Sequence, residues 1–299
     1  MGMATRFFIS NRVRSTVGSR LPVLGLLCAL LAWSGPALAA QRSLILAVHP
    51  YLPYQEVTAK FAGLANYLAR QLGREVSIRV GKDYQEHIQF IGEDRVDIAF
   101  LGPASYVTLT REHGHKPILA KLVVRGRPFF QGKIIARRDS AIKTLSDLLG
   151  RRFAFGDPES TMSHLVPRFM LLENGIPLTA LAGHEFLGSH DNVALGVLVG
   201  DFDAGAVKEE VFMKFEADGL VDIATTVRIS EHLFVTRADL EPELVEVLRA
   251  ALWQLKDSSE GRRAMNSIKT GVSAMIPVAD QDYDSLRRIL TGLQAAGVN

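Results

Sequence analysis

Apolar residues recur along this chain in two alternating rhythms. Short, mostly apolar runs such as Ser43–Val48, Val76–Val80 and Val96–Leu101 predict strands. Between them the apolar positions fall three and four apart. Val57, Phe61, Leu64, Leu68 and Leu72 mark one face of a helix stopped by Gly73, a second helix runs from about Asp83 to Gly92, and Gly102-Pro103 opens a third. Further on, Lys133–Ala136, Phe153–Phe155 and Asp203–Val207 read as strands of a second sheet. Met162, Leu165, Phe169 and Leu172 form a helical stripe closed by Asn174-Gly175, and Asp191–Val199 is a short helix ended by Gly200. Leu233–Thr236 reads as a strand leading into a tail of two helices. One carries Leu244, Leu248, Ala251, Leu252 and Leu255, the other Tyr283, Leu286, Leu290 and Leu293. Such alternation predicts an α/β architecture. Val96-Asp97-Ile98-Ala99 is echoed by Phe202-Asp203-Ala204-Gly205, as two lobes built from similar strand-helix-strand modules would produce. No stretch resembles a long flexible linker, so the lobes are expected to join through strand-like crossovers near residues 125–133 and 228–236.

Composition places this pattern in a compartment. The chain has 299 residues, 47% hydrophobic and 22% charged, enough for one large domain or two ordinary ones. Residues 1–39 hold Arg6, Arg12, Arg14 and Arg20 and no acid, followed by a mostly apolar run from Leu21 to Trp33 and an Ala37-Leu38-Ala39 cleavage pattern. This run is shorter than the ~20 residues of a membrane span and reads as a signal peptide cut after Ala39 or Ala40. Without its arginines, 30 basic residues face 32 acidic ones, a net charge of −2 that argues against a nucleic-acid binder. The single cysteine, Cys28, lies inside the leader behind Leu27, which disfavours a lipid anchor; the mature chain has no thiol for a disulfide, metal or nucleophile.

The most informative chemistry is Phe155-Gly156-Asp157-Pro158-Glu159-Ser160-Thr161-Met162-Ser163-His164, a strand end, a tight turn and a hydroxyl-rich helix start. A helix N-terminus presents free N–H groups that receive anions without formal positive charge. Capping needs one hydroxyl; Ser160, Thr161 and Ser163 supply three. Gly188-Ser189-His190-Asp191-Asn192 precedes a second helix, where a cap and a ligand contact are equally good readings. Gly102-Pro103-Ala104-Ser105-Tyr106 opens a helix at the sheet edge where ligands bind in open α/β folds, although capping alone explains Ser105. No nucleophile elbow, P-loop or H-E-x-x-H appears. His113 and His115 read as a solvated helix end rather than a metal site. Glu209-Glu210 is either a general base or a helix start, and Phe129-Phe130 either lines a cleft or forms a buried crossover.

Together, Val96–Tyr106, Phe155–Ser163, Gly188–Asp191, Asp203–Val207 and Arg237-Ala-Asp-Leu-x-Pro242 resemble, in order and over nearly the whole mature chain, the phosphate/phosphite/phosphonate-binding receptors of ABC importers. The resemblance implies a two-lobed type II periplasmic-binding-protein fold with a double crossover and an inter-lobe ligand cleft. Residues 40–129 plus 234–299 would form lobe 1 and residues 130–233 lobe 2. It implies an oxyanion seated on Ser160, Thr161 and Ser163 with His190 opposite, and Tyr84 and Tyr106 contributing from the first lobe. Glu210 falls where some members place an acid facing the ligand's substituent, and a protonated ligand oxygen would find its acceptor in Asp191, Glu210 or a neutral His190. Phe130 stands where a crossover tyrosine is usual, and Ile229-Ser230-Glu231-His232 replaces a Gly-Asp-Pro stretch, so the substituent-reading elements depart from the pattern.

The expected protein is therefore a periplasmic, monomeric receptor, not an enzyme, with no cofactor or metal. It captures a small oxyanion through neutral hydrogen-bond donors and delivers it to an ABC permease. The alternatives are a periplasmic subunit presenting its bound form to a membrane sensor kinase, and a receptor for a non-phosphorus oxyanion or carboxylate.

Overall fold

The computed structural model of the chain describes residues 42–297. The expected leader, its cleavage site and Cys28 lie outside the described residues. The strand–helix rhythm becomes β1 (Leu44–Val48), α1 (Tyr54–Leu72), β2 (Val76–Val80), α2 (Tyr84–Gly92), β3 (Ile98–Leu101) and α3 (Pro103–His113). Local chemistry sets these boundaries. Gly73 closes α1 in the left-handed conformation at φ 61°, Asp83 caps α2 by accepting the Glu86 N–H at 2.7 Å, and Pro103 sits in the first turn of α3, where no N–H is needed. β4 (Ile118–Val124) leads into a crossover containing β5 (Phe129–Phe130).

The second half comprises β6 (Gly132–Arg137), β7 (Arg152–Phe155), α4 (Val166–Glu173), β8 (Gly183–Phe186), α5 (His190–Leu198), β9 (Ala204–Lys208), α6 (Glu209–Phe215) and β10 (Leu220–Thr225). The chain returns through β11 (Ile229–Ser230) to β12 (Leu233–Thr236), then α7 (Pro242–Trp253), α8 (Ser259–Ile268), β13 (Val272–Ile276) and α9 (Asp284–Ala295). The strands form two sheets, ordered β13-β4-β12-β3-β1-β2 and β10-β6-β9-β7-β8. β5 and β11 pair antiparallel, so the two crossovers run side by side between the lobes.

Each sheet is covered on both faces. In the first lobe, Val57, Phe61, Leu64 and Leu68 of α1 pack with α7 and α8 on one side, while α2, α3 and α9 cover the other. Full burial of such a side chain contributes about 1.5–3 kcal/mol. Sequence reading missed β4, β8, β10, β13 and α8. β4 is apolar except for Lys121, whose Nζ reaches Ser230 and Asp282 at 3.1 and 3.0 Å; α8 is largely polar and joins the core through Ala264, Met265 and Ile268. The Met162–Leu172 stripe packs chiefly against first-lobe side chains, including those of α3 and α9, while the neighbouring Leu171 enters the second lobe's own core.

Candidate functional site

Between the lobes, at the carboxyl ends of both sheets, lies a cavity of about 470 Å³. Its second-lobe wall is built by one proline. Pro167 has no N–H to offer the Ser163 carbonyl four residues back, and a regular helix would also clash there. The chain instead takes a π-helical turn over Thr161–Leu165, with the Leu165 N–H donating to the Ser160 carbonyl at 3.0 Å. The released Ser163 carbonyl accepts the Gly156 N–H at 3.2 Å, drawing the turn onto the end of β7. Gly156 is required for that approach, because a Cβ there would stand 2.2 Å from Ser163 Oγ.

This packing sorts the three hydroxyls. Ser160 Oγ accepts the Ser163 N–H at 3.2 Å and Thr161 Oγ1 accepts the Ala104 N–H of α3 at 3.2 Å, which leaves both hydroxyl protons free to donate. Ser163 spends its proton on the Ala206 carbonyl at 2.9 Å and is fully buried behind the wall. Ser160 and Thr161 line the cavity; Ser163 does not. Beside them, the Lys208 backbone N–H donates to His190 Nδ1 at 3.0 Å, so a neutral ring carries its proton on Nε2. Burial, with Lys208, His232 and Lys269 nearby, holds His190 well below the ordinary histidine value and keeps it neutral.

The first-lobe wall, with the crossovers beside it, is aromatic. His49, at the end of β1, packs against Tyr51 at 4.8 Å, His232 at 5.4 Å and Tyr84 at 5.5 Å between ring centroids. Phe130 meets His232 at 5.2 Å. Burial and the acids Asp157 and Glu159 push the Tyr84 hydroxyl far up, so it stays protonated.

Charge enters where neutral donors were expected. Lys60, Arg125, Lys208, Lys214 and Lys269 line the cavity together with Glu56, Glu159, Asp191 and Glu210. Most are spoken for: Lys214 holds Asp191 at 2.7 Å, and Lys269 bridges Glu210 at 2.5 Å and Glu231 at 3.0 Å. Glu231 also meets His232 Nδ1 at 2.9 Å. Burial would raise Glu231, but Lys269 and His232 hold its carboxyl down at about 2. Five cations and four acids thus nearly balance along the cavity, with Lys208, Lys214 and Lys269 paired to Asp191 and Glu210, which is why net charge did not reveal them.

Of the residues named from sequence, the structure gathers Ser160, Thr161, His190, Asp191, Glu210, Tyr84 and Phe130 around this cavity. It does not bring Tyr106 there. That ring is fully buried against Tyr283 at 4.8 Å, and its hydroxyl donates to Asp280 at 2.6 Å, because the first turn of α3 points this position into the core. His49, Lys208, His232 and Lys269 were missed. Each is a single polar residue at a strand or helix end, with no local pattern to mark it. Among the described residues, no group of three or more His, Cys, Asp or Glu is placed to hold a metal.

The family described as the periplasmic substrate-binding protein of phosphonate ABC transporters matches residues 46–283. The chain is 28% identical over 275 residues to the phosphate-import protein PhnD of Mycolicibacterium smegmatis, covering 83% of this chain and 84% of that protein. In structure it resembles PhnD1 of Prochlorococcus marinus in complex with methylphosphonate, with a TM-score of 0.76 at 19% identity, covering 84% of this chain and 98% of that one. It also resembles a binding-protein component of an ABC phosphonate transporter from Pseudomonas aeruginosa, with a TM-score of 0.74 at 24% identity over 85% and 87% of the two chains. Both neighbours share the two-lobed periplasmic-binding fold.

Proposed function

We propose that this chain, which belongs to the periplasmic substrate-binding proteins of phosphonate ABC transporters, captures a small phosphorus oxyanion between its lobes and releases it unchanged to a membrane permease. The observation that carries this reading is the convergence, at one cavity wall, of two free hydroxyl protons and a neutral imidazole N–H: Ser160, Thr161 and His190. Free donors lining one wall beside a turn's N-terminus suit an oxyanion. The Thr161–Ala104 bond and the Lys269–Glu210 pair link the lobes, so both belong to the closed form that ligand binding would favour.

The reading includes a leader over residues 1–39, cleaved on export, and a monomeric mature protein. It also includes lobe limits at 40–129 plus 234–299 and 130–233. Strands at 44–124 and 233–276 in one sheet and 132–225 in the other support those limits.

Ligand-dependent melting of protein stripped of carried-over ligand tests it, with phosphate, phosphite, methylphosphonate, sulfate and carboxylates as the panel. A ligand at about 1,000 times its Kd adds about 4 kcal/mol and raises Tm by several degrees. Ser160→Ala and Thr161→Ala should each weaken binding by about 1–3 kcal/mol. Absence of a shift with every phosphorus oxyanion would overturn the reading.

A further inference from the structure

One cation of the cavity lining lacks a close partner. Lys208 ends β9, the strand beside β7, two residues beyond the Ala206 carbonyl that holds Ser163. Its backbone N–H is committed to His190 Nδ1 at 3.0 Å, which seats the residue beside the donor wall. Its side chain lines the cavity and is 29% exposed, whereas the ring nitrogens of His49 across the gap are sealed in and unpaired. Among the described residues the Lys208 ammonium has one carboxylate oxygen within 4 Å. That oxygen, Glu210 Oε2, stands 3.8 Å away, beyond hydrogen-bond reach.

The neighbouring acids are engaged more closely by other cations. Lys269 holds Glu210 at 2.5 Å and Glu231 at 3.0 Å, and Lys214 holds Asp191 at 2.7 Å. Burial, with Lys269 close by, lowers the Lys208 ammonium from its ordinary value against the pull of Glu210, Glu231 and Asp191. Its field reaches both walls, for it helps to keep His49 of the first lobe and His190 of the second neutral. A charge felt on both walls lies between them, where a ligand would sit. The donors beside it, the Ser160 and Thr161 hydroxyls and His190 Nε2–H, carry no charge. Neutral donors answer to the oxygens within reach. A fixed ammonium answers to total charge, since its attraction grows with every charge on its partner.

We propose that Lys208 reads the charge of the ligand. Its ammonium donates to an oxygen of the phosphorus oxyanion held by Ser160, Thr161 and His190, so the site selects doubly charged ligands, phosphonate or phosphate dianions, over singly charged sulfonates of the same shape. This deepens the proposed capture of a phosphorus oxyanion and rests on it.

The test is calorimetric titration with methylphosphonate and methanesulfonate in mildly alkaline buffer, where the first carries two charges, the second one, and neither a proton. The wild-type protein should prefer methylphosphonate by about 100-fold or more. Lys208→Met should weaken methylphosphonate about 100-fold and methanesulfonate about tenfold, which narrows the preference about tenfold. Lys208→Gln keeps a donor without the charge and should narrow it as far. Ligand-free melting checks that each variant folds. Equal wild-type affinity for the two ligands overturns the proposal, as does either variant keeping the wild-type preference. Wild-type binding of methylphosphonate in those cases leaves the capture reading standing, whereas no binding of any phosphorus oxyanion removes both.

Discussion

The two lobes contain the same winding and put it to different use. In one, β1, β2 and β3 run parallel in the order β3-β1-β2; in the other, β7, β8 and β9 run parallel in the order β9-β7-β8. An aspartate ahead of the third strand clasps the first strand in both. Asp97 N–H donates to the Ile45 carbonyl at 3.1 Å while its carboxylate accepts the Ile45 N–H at 2.8 Å. Asp203 does the same with Arg152, at 3.0 and 2.9 Å. What hangs from the strand ends differs: the rings of His49, Tyr51 and Tyr84 in the first lobe, the hydroxyls of Ser160 and Thr161, the His190 N–H and Lys208 in the second. A repeated scaffold brings two unlike walls face to face across one cavity.

The largest predicted effect breaks the bridge between those walls. Lys269→Met leaves Glu231, whose side chain is 1% exposed, without its cation and should cost about 3–5 kcal/mol in denaturant unfolding. The same network predicts acid sensitivity. Glu231 is held at about 2 instead of 4.5, so it stabilises the fold above its ordinary value and that contribution, about 3 kcal/mol, is lost as pH falls from 4.5 through 2. Glu231→Gln should flatten that part of the stability–pH curve; an unchanged slope would remove Glu231 as its source.

A middle-sized effect sharpens the comparison of the two aspartates. Asp97 is buried and also carries Arg237 at 3.1 Å, whereas Asp203 is half-buried and clasps an exposed Arg152. Asp97→Ala should cost about 3 kcal/mol and Asp203→Ala about 1, read from denaturant midpoints at constant m. Equal costs would mean that the echo is a matter of backbone alone. The smallest effect separates two tyrosines of one lobe. Tyr84→Phe should weaken ligand binding by about 1 kcal/mol, while Tyr106→Phe should leave affinity unchanged and lower stability slightly, because Asp280 keeps Arg287.

Much of this was legible beforehand, for identifiable reasons. The α1 stripe, the Gly73 stop, the helix start at Asp83 and the hydroxyl-rich turn after β7 are set within a few residues, and the structure keeps them where the pattern put them. The Asp97/Asp203 echo was visible because both residues do the same local job. β4 was missed because Lys121 interrupts its apolar run, and α8 because its apolar positions are few among polar ones. Tyr106 and Ser163 were taken for ligand contacts because sequence places them in the right segment but not on the right side of it. The phase of α3 and the π-helical turn decide that, and both depend on packing partners far along the chain, Tyr283, Asp280 and Ala206.

The amino-acid sequence by itself thus determined the elements, their α/β order, the family and the donor-bearing turn, since periodicity, caps and proline act over one or two helical turns. Tertiary structure alone decided that Lys269 bridges Glu210 and Glu231, that Ser163 turns away, and that His49 and His232 converge over Gly102. Those relations join residues tens to nearly two hundred positions apart, and burial gives them their force: an unpaired imidazole or carboxylate is unremarkable in water and consequential once water is excluded.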